Sequence, residues 1–158
     1  MKHMIGLVLM LTSSAASALT CVRPDPARSF ATAQAAPETY IILRGHIGIA
    51  EVLIPPEPAD PQAPAPIPVW FTGTILTPQG FTQPYEGPMV VQPTCAGPWC
   101  GEINQDMDLI AFARQENGST IITADPCGGW ILPDDAATVA TLTACIRGEA
   151  CQPGPQSH

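Results

Sequence analysis

Basic residues are scarce in this 158-residue chain, which has one lysine, Lys2, and five arginines against fourteen acidic residues. The formal net charge of −8 excludes a nucleic-acid-binding protein, because such a protein needs a basic face to neutralise phosphates. The same shortage of positive charge disfavours an anionic membrane surface as the partner. Hydrophobic residues nevertheless make up 46% of the chain, which is too many for a disordered protein.

The sequence also lacks a hydrophobic run of the roughly 20 residues that a transmembrane helix needs. The apolar run Met4–Leu11 follows Lys2 and precedes small residues that end in Ala16-Ser17-Ala18. This order predicts a secretory signal peptide over residues 1–18, with cleavage after Ala18. We therefore expect an exported protein, periplasmic or secreted, whose mature chain has no membrane span and a net charge of −9.

The cysteines show no C-x2-C pair of the kind that zinc sites use. Six cysteines in an exported chain are typical of a disulfide framework, so we expect three disulfides, no metal and no cofactor. The cysteines are Cys21, Cys95, Cys100, Cys127, Cys145 and Cys151. They allow fifteen pairings. Short loops that contain Gly97-Pro98 and Gly148 favour the pairs Cys95–Cys100 and Cys145–Cys151.

Local patterns predict one mostly β domain over residues 19–152, followed by a loose tail at 153–158. Asp25 and Pro26 predict a helix start, and Asn117-Gly118 predicts a hairpin turn. Alternation in the first strand places Arg44 and His46 on a solvent-facing side. The predicted strands are 40–53, 69–76, 89–92, 107–114 and 119–124, and the predicted helices are 26–35 and 134–146.

Residues 55–68 include seven prolines. Because proline lacks a backbone N–H, this segment predicts an exposed loop that favours polyproline II rather than a strand. The spacing of Pro58, Pro61 and Pro64 also forms overlapping P-x-x-P motifs. A ligand for an aromatic-lined groove is therefore an alternative to a simple loop.

The order of these elements resembles the netrin-like domain. Cys21, a helix that contains Phe30 and the strand with Leu43-Arg44-Gly45 are similar to the opening of that family. A second similarity is to the family's Cys-Gly motif, which precedes a strand. It is matched here by Cys100-Gly101-Glu102-Ile103 before the strand Leu109–Phe112. Residues 119–127, followed by Trp130 and a helix, resemble the family's last motif, in which a cysteine and then a tryptophan precede the C-terminal helix. The resemblance spans residues 21–146.

The resemblance implies a five-stranded OB-type Greek-key barrel with an N-terminal and a C-terminal helix, as in tissue inhibitors of metalloproteinases. It also implies a Cys21–Cys127 disulfide, and Cys21–Cys100 is the other pairing that the family allows. In those inhibitors the first residue is a cysteine whose α-amino group chelates the catalytic zinc. Cleavage after Ala18 would leave Leu19-Thr20 before Cys21, which displaces that amine.

We therefore expect a non-enzymatic binding module for a protein partner, with a metalloprotease inhibitor as one alternative. Exposed aromatic residues are the expected partner contacts. The candidates are Trp99, Trp70, Phe71 and Trp130. A small enzyme that uses paired carboxylates, either Asp106/Asp108 or Asp134/Asp135, is a second alternative.

Overall fold

The structure, a computed structural model, describes residues 20–49, 64–104 and 106–154. Its elements are α1 Pro26–Ala35, β1 Thr39–Ile49, β2 Ile67–Thr77, β3 Gly80–Pro93, β4 Cys95–Ala96, β5 Trp99–Cys100, β6 Met107–Glu116, β7 Ser119–Ala124, β8 Ile131–Leu132 and α2 Ala136–Ile146. The predicted mostly β class is confirmed, since 48% of the described residues lie in strands. No helix in the described ranges is long and apolar enough to cross a membrane.

Four predictions fall wholly or partly outside the described residues. These are the signal peptide at 1–18, the end of the first predicted strand at 50–53, residues 55–63 of the proline-rich segment and residues 155–158 of the tail.

Six strands form one sheet in the order β1-β2-β3-β7-β6-β8, and β1 also pairs with β6. All of these pairings are antiparallel except β3–β7, which is parallel. The hydrogen-bonded path through β1, β2, β3, β7 and β6 therefore returns to β1. The sequence predicted five strands and missed β8, because two residues are too short to show a periodicity. Strands β4 and β5 form a separate hairpin.

The alternation predicted for β1 is confirmed. Leu43 and Ile47 are fully buried in the core on one side of the sheet. Arg44 and His46 point to the opposite side, as expected for successive residues of a strand. Ile42 shares that outer side but packs into a second core beneath the helices. The outer side of β1 is thus apolar near the helices and polar further along.

Helix α1 begins at the predicted cap, whereas α2 begins at Ala136, two residues after the predicted start at 134. The Asp25 carboxylate accepts a hydrogen bond from the Arg28 N–H at 2.9 Å, and Asp135 accepts one from the Thr138 N–H at 2.7 Å. Each cap satisfies a backbone donor that the helix itself leaves free. The second core joins both helices to the sheet and includes Phe30, Ile42, Ile110, Phe112, Leu132 and Leu142.

Strand β3 has 14 residues, so the predicted third strand at 89–92 was much too short. Pro84 and Pro88 of β3 are tolerated because β3 pairs with β7 only at Val90–Pro93. Within the described part of the chain, the rest of that edge has no strand partner that would need an N–H donor. The predicted loop boundary at Pro68 is also wrong, because β2 begins at Ile67 and Pro68 lies opposite Val90.

The predicted loose tail is attached to the fold as far as Gly154. The Gly154 N–H donates to the Asp25 carboxylate at 2.9 Å, and the Arg28 guanidinium lies 3.5 Å from the Gly154 carbonyl oxygen. Asp25 therefore caps α1 with one oxygen and holds the tail with the other. Only a tertiary contact shows this second role, so the sequence offered no signal for it.

The structure contains the disulfides Cys21–Cys127, Cys95–Cys100 and Cys145–Cys151. The first joins the segment before α1 to the loop after β7. Asp125 orders that loop by accepting hydrogen bonds from the N–H groups of residues 127–129, at 2.9–3.0 Å. The Ser29 hydroxyl donates to the Gly129 carbonyl oxygen at 2.6 Å, which ties α1 to the same loop.

Gly45 of β1 and Gly73 of β2 lie directly opposite each other and face the core. A Cβ atom at Gly45 would overlap the Thr72 carbonyl oxygen and lie 2.6 Å from the Gly73 Cα atom. A Cβ atom at Gly73 would overlap the Arg44 carbonyl oxygen in the same way. The Phe71 ring packs beneath both glycines, at 2.8–3.0 Å from these Cβ positions. The two missing side chains therefore let the strands approach and make room for the ring.

We expect Gly45→Ala and Gly73→Ala each to lower the free energy of unfolding by about 3 kcal/mol, because the obstructing atoms are backbone and cannot rotate away. Gly87→Ala on β3 is the matched control, since no atom of the described residues lies within 4 Å of its Cβ position. Urea unfolding of the three variants measures the difference. Equal stability of Gly45→Ala and Gly87→Ala would contradict the close approach.

We expect the long-range disulfide to contribute most to stability. The chain-entropy estimate is about 5 kcal/mol for the Cys21–Cys127 loop and about 2 kcal/mol for the Cys95–Cys100 loop. The double variant Cys21→Ser, Cys127→Ser should therefore unfold at much lower urea than Cys95→Ser, Cys100→Ser. Non-reducing peptide mapping checks the pairing first, and a linked Cys21–Cys100 peptide would show that it is wrong.

Candidate functional site

A polar and aromatic surface lies on the outer side of the sheet, away from the helices. His46 of β1 lies opposite Thr72 of β2 on one side and Asp108 of β6 on the other. Trp70 lies two residues before Thr72, on the same side of β2. We call this surface the Trp70 face, and its residues are His46, Gly48, Trp70, Thr72, Glu86, Pro88, Asp106 and Asp108.

Trp70 presents an open aromatic surface. Its relative exposure is 43%, although it lies within a paired strand. Its cross-strand neighbours are Gly48, which has no side chain, and Pro88, whose side chain is a small pyrrolidine ring. Because neither neighbour is large enough to cover an indole, part of the Trp70 ring remains free for a partner.

His46 lies between two carboxylates. Its Nδ1 atom is 3.1 Å from Asp108 Oδ1, and its Nε2 atom is 3.0 Å from Asp106 Oδ1. The Asp106 N–H donates to the Ile47 carbonyl oxygen at 2.9 Å, which holds Asp106 beside β1. Asp106 adopts a left-handed backbone conformation with φ 65°. This conformation is uncommon for a residue other than glycine.

The two carboxylates favour the protonated imidazole. The pKa of His46 is raised above its ordinary value, chiefly by the hydrogen bond to Asp108 and then by Asp106, while burial opposes the shift. Only the imidazolium can donate from both ring nitrogens at once. A neutral ring leaves one nitrogen lone pair facing a carboxylate oxygen. The protonation state of His46 therefore decides how well the pair of carboxylates is neutralised.

This arrangement does not suit a metal ion. The two ring nitrogens lie on opposite sides of the imidazole and face different carboxylates, so one ion cannot contact His46, Asp106 and Asp108 together. Across the ranges 20–49, 64–104 and 106–154, no group of three or more His, Cys, Asp or Glu residues is arranged to hold a metal.

The other predicted carboxylate pair is divided between two structural roles. The single Nε–H of Arg44 donates a bifurcated hydrogen bond to both carboxylate oxygens of Asp134, at 2.9 and 3.0 Å. Asp135 instead caps α2, and the Thr138 N–H lowers its pKa. Asp106 and Asp108 remain together, but His46 occupies the space between them. All four carboxylates thus have a partner in the folded chain.

Trp99 is the most exposed of the predicted aromatic contacts, at 52%. It lies opposite Ala96 in the hairpin of β4 and β5, which the Cys95–Cys100 disulfide closes. This hairpin follows the C-terminal end of β3, beside the start of β2 and the end of β7. The Thr94 N–H donates to the Ala124 carbonyl oxygen at 2.8 Å and anchors the hairpin there.

The two exposed tryptophans lie towards the same end of the sheet. Trp70 is three residues after the start of β2, and the Trp99 hairpin begins two residues after the end of the antiparallel β3. Strand β1 ends and β2 begins at this same end. The hairpin and Asp106 therefore lie towards one end of the sheet.

The prediction that Phe71 contacts a partner is wrong. Phe71 is fully buried, and its ring meets Tyr85 edge to face at a centroid distance of 6.0 Å. Successive residues of a strand point to opposite sides, so Trp70 and Phe71 cannot both face solvent. Trp130 is half-buried and stacks on Tyr40 at 4.9 Å, which places it beside α1 rather than on the Trp70 face.

A second concave region lies at the helix side of the molecule. It is an apolar cavity of about 310 Å³ between both helices and the strands β1 and β2. Phe30, Tyr40, Leu76 and Ile146 contribute to its walls. No charged side chain lines it, so it has none of the polar groups that give the Trp70 face its chemistry.

Searches against protein-family models, curated proteins and solved structures found no match to this chain.

We expect the stability contribution of His46 to depend on pH. A raised pKa in the folded state means that the stabilisation is present below the ordinary value of about 6.5 and is lost as the pH rises through the folded pKa. The difference in Tm between the parent protein and His46→Gln should therefore be largest near about pH 5.5 and vanish by about pH 9.

NMR titration of His46 provides the control. Asp108→Asn should lower the pKa of His46 more than Asp106→Asn does, because the Asp108 hydrogen bond is the largest cause of the shift. A Tm difference that stays constant across this pH range would contradict the assignment.

Proposed function

We propose that the chain is an exported, non-enzymatic binding module for a protein partner, and that the Trp70 face and the Trp99 hairpin contact this partner. The observation that carries the proposal is the position of two exposed tryptophans towards one end of the sheet. Exposed tryptophan is enriched among the residues that dominate binding energy at interfaces. The structural roles of the four candidate carboxylates also favour binding over catalysis.

We further propose an OB-type Greek-key barrel of the netrin-like kind. Its support is the path of five strands that returns to β1, with β3 and β7 parallel and the other pairings antiparallel. OB-type barrels bind ligands on a strand face and on the loops at its rim. The Trp70 face is comparable to such a strand face.

Export is part of the same proposal. Three disulfides in the described residues are compatible with an oxidising compartment outside the cytoplasm. Cleavage after Ala18 would leave Leu19 as the first residue. N-terminal sequencing of the exported protein determines this directly, and a start at Cys21 would instead favour the inhibitor alternative.

Site-specific photo-crosslinking in the native host tests the binding proposal. A benzophenone amino acid is placed at position 70 or 99, and at the exposed control positions Gln83 and Ala140. We expect adducts of the same protein from positions 70 and 99 and no such adduct from the controls. The same adducts at all four positions, or at the controls alone, would show that the site is wrong.

A further inference from the structure

The Trp70 face carries carboxylates that its own basic groups do not fully neutralise. Asp106, Asp108 and Glu86 lie on it, and their side chains are exposed to solvent. The arginine on the outer side of β1 is Arg44, which is already held by Asp134. With His46 neutral, the face has an excess of negative charge beside an exposed indole.

The remaining arginines are engaged elsewhere or lie away from this face. Arg114 pairs with Glu116 at 3.0 Å, and Arg147 donates to the Pro78 carbonyl oxygen at 2.7 Å. Arg28 of α1 lies beside Gly154, and the positive charge of Arg23 acts on Asp135, whose pKa it helps to lower. Because the predicted mature chain contains no lysine, the chain has few cations of its own to offer the Trp70 face. Charge complementarity therefore favours a basic partner.

We propose that the Trp70 face binds a lysine or arginine side chain from a basic segment of the partner protein, which stacks on Trp70 and pairs with Asp106 and Asp108. This inference rests on the proposed binding function and names the chemistry of the partner. A cation over an indole ring is attracted by the negative face of the ring. Gly48 and Pro88 leave that ring open, and the diagonal neighbour of Trp70 on β1 is His46, whose two carboxylates supply the ion pair.

Protonated His46 competes with this cation. The imidazolium already occupies the space between Asp106 and Asp108, so a basic side chain binds better when His46 is neutral. The groups around His46 are Asp108 from β6, Asp106 from the preceding loop, Glu86 beyond Thr72, and the Arg44–Asp134 pair along β1. Binding should therefore strengthen as the pH rises through the pKa of His46.

The test uses N-acetyl hexalysine amide as the probe and N-acetyl hexaglutamine amide as the neutral control. Both are titrated into the full mature protein, and amide NMR shifts locate the contact. We expect the lysine peptide to shift residues of the Trp70 face, with a Kd about tenfold weaker for Asp106→Asn, Asp108→Asn. Trp70→Ala should weaken the Kd about fivefold.

The double variant Glu38→Gln, Glu149→Gln removes the same charge from exposed positions elsewhere. It should change the Kd less than about twofold, because rim charges away from a contact contribute little. An equal loss of affinity in this control variant would show only general attraction of a polycation and overturn the proposal. Amide NMR shifts spread over other acidic surfaces would do the same. Equal binding of the glutamine peptide would also overturn it.

Measuring the Kd of the lysine peptide at two pH values tests the role of His46. The parent Kd should be about three- to tenfold weaker near about pH 5.5 than near about pH 9, and His46→Gln should remove this dependence. A Kd of the parent protein that does not change with pH would overturn the proposed competition between His46 and the basic side chain. If neither peptide binds while positions 70 and 99 still crosslink one protein, the proposal of a basic partner segment is wrong and the binding function stands. If the crosslinks also fail, the binding function is wrong as well.

Discussion

The close approach of β1 and β2 at Gly45 and Gly73 is the constraint on which the rest of the structure depends. Any side chain at either position would collide with the backbone of the other strand and with the Phe71 ring. With both side chains absent, Phe71 fills the interior and the strands keep their register. Because a strand alternates sides, an inward Phe71 requires an outward Trp70. The exposed indole is thus a consequence of core packing.

The polar half of the Trp70 face depends on a second pairing, between β1 and β6. That register places Asp108 directly opposite His46. Asp106 reaches the other ring nitrogen only because its backbone turns into a left-handed conformation and donates to Ile47. A left-handed residue other than glycine costs on the order of 1 kcal/mol, so its contacts with Ile47 and His46 must offset that cost.

Features set by a few neighbouring residues could be predicted from the sequence. The cap at Asp25 and the Asn117-Gly118 turn need only local geometry, and each is present. The length of β3 could not be predicted, because Pro84 and Pro88 are acceptable only where that edge has no strand partner among the described residues. Alternation could have excluded Phe71 as a contact. The contact between His46 and Asp106 could not be predicted, since it depends on strand register and one unusual φ angle.

The same two carboxylates serve the fold and the proposed ligand, and this couples the two. Protonated His46 stabilises the pairing of β1 with β6, and a basic ligand would replace it between Asp106 and Asp108. Linkage is reciprocal, so a proton that weakens ligand binding must itself be held less tightly when the ligand is bound. A saturating basic ligand should therefore lower the pKa of His46 by an amount that matches the pH dependence of its own affinity. Two independent titrations then measure one coupling free energy, and disagreement between them would place the ligand somewhere other than beside His46.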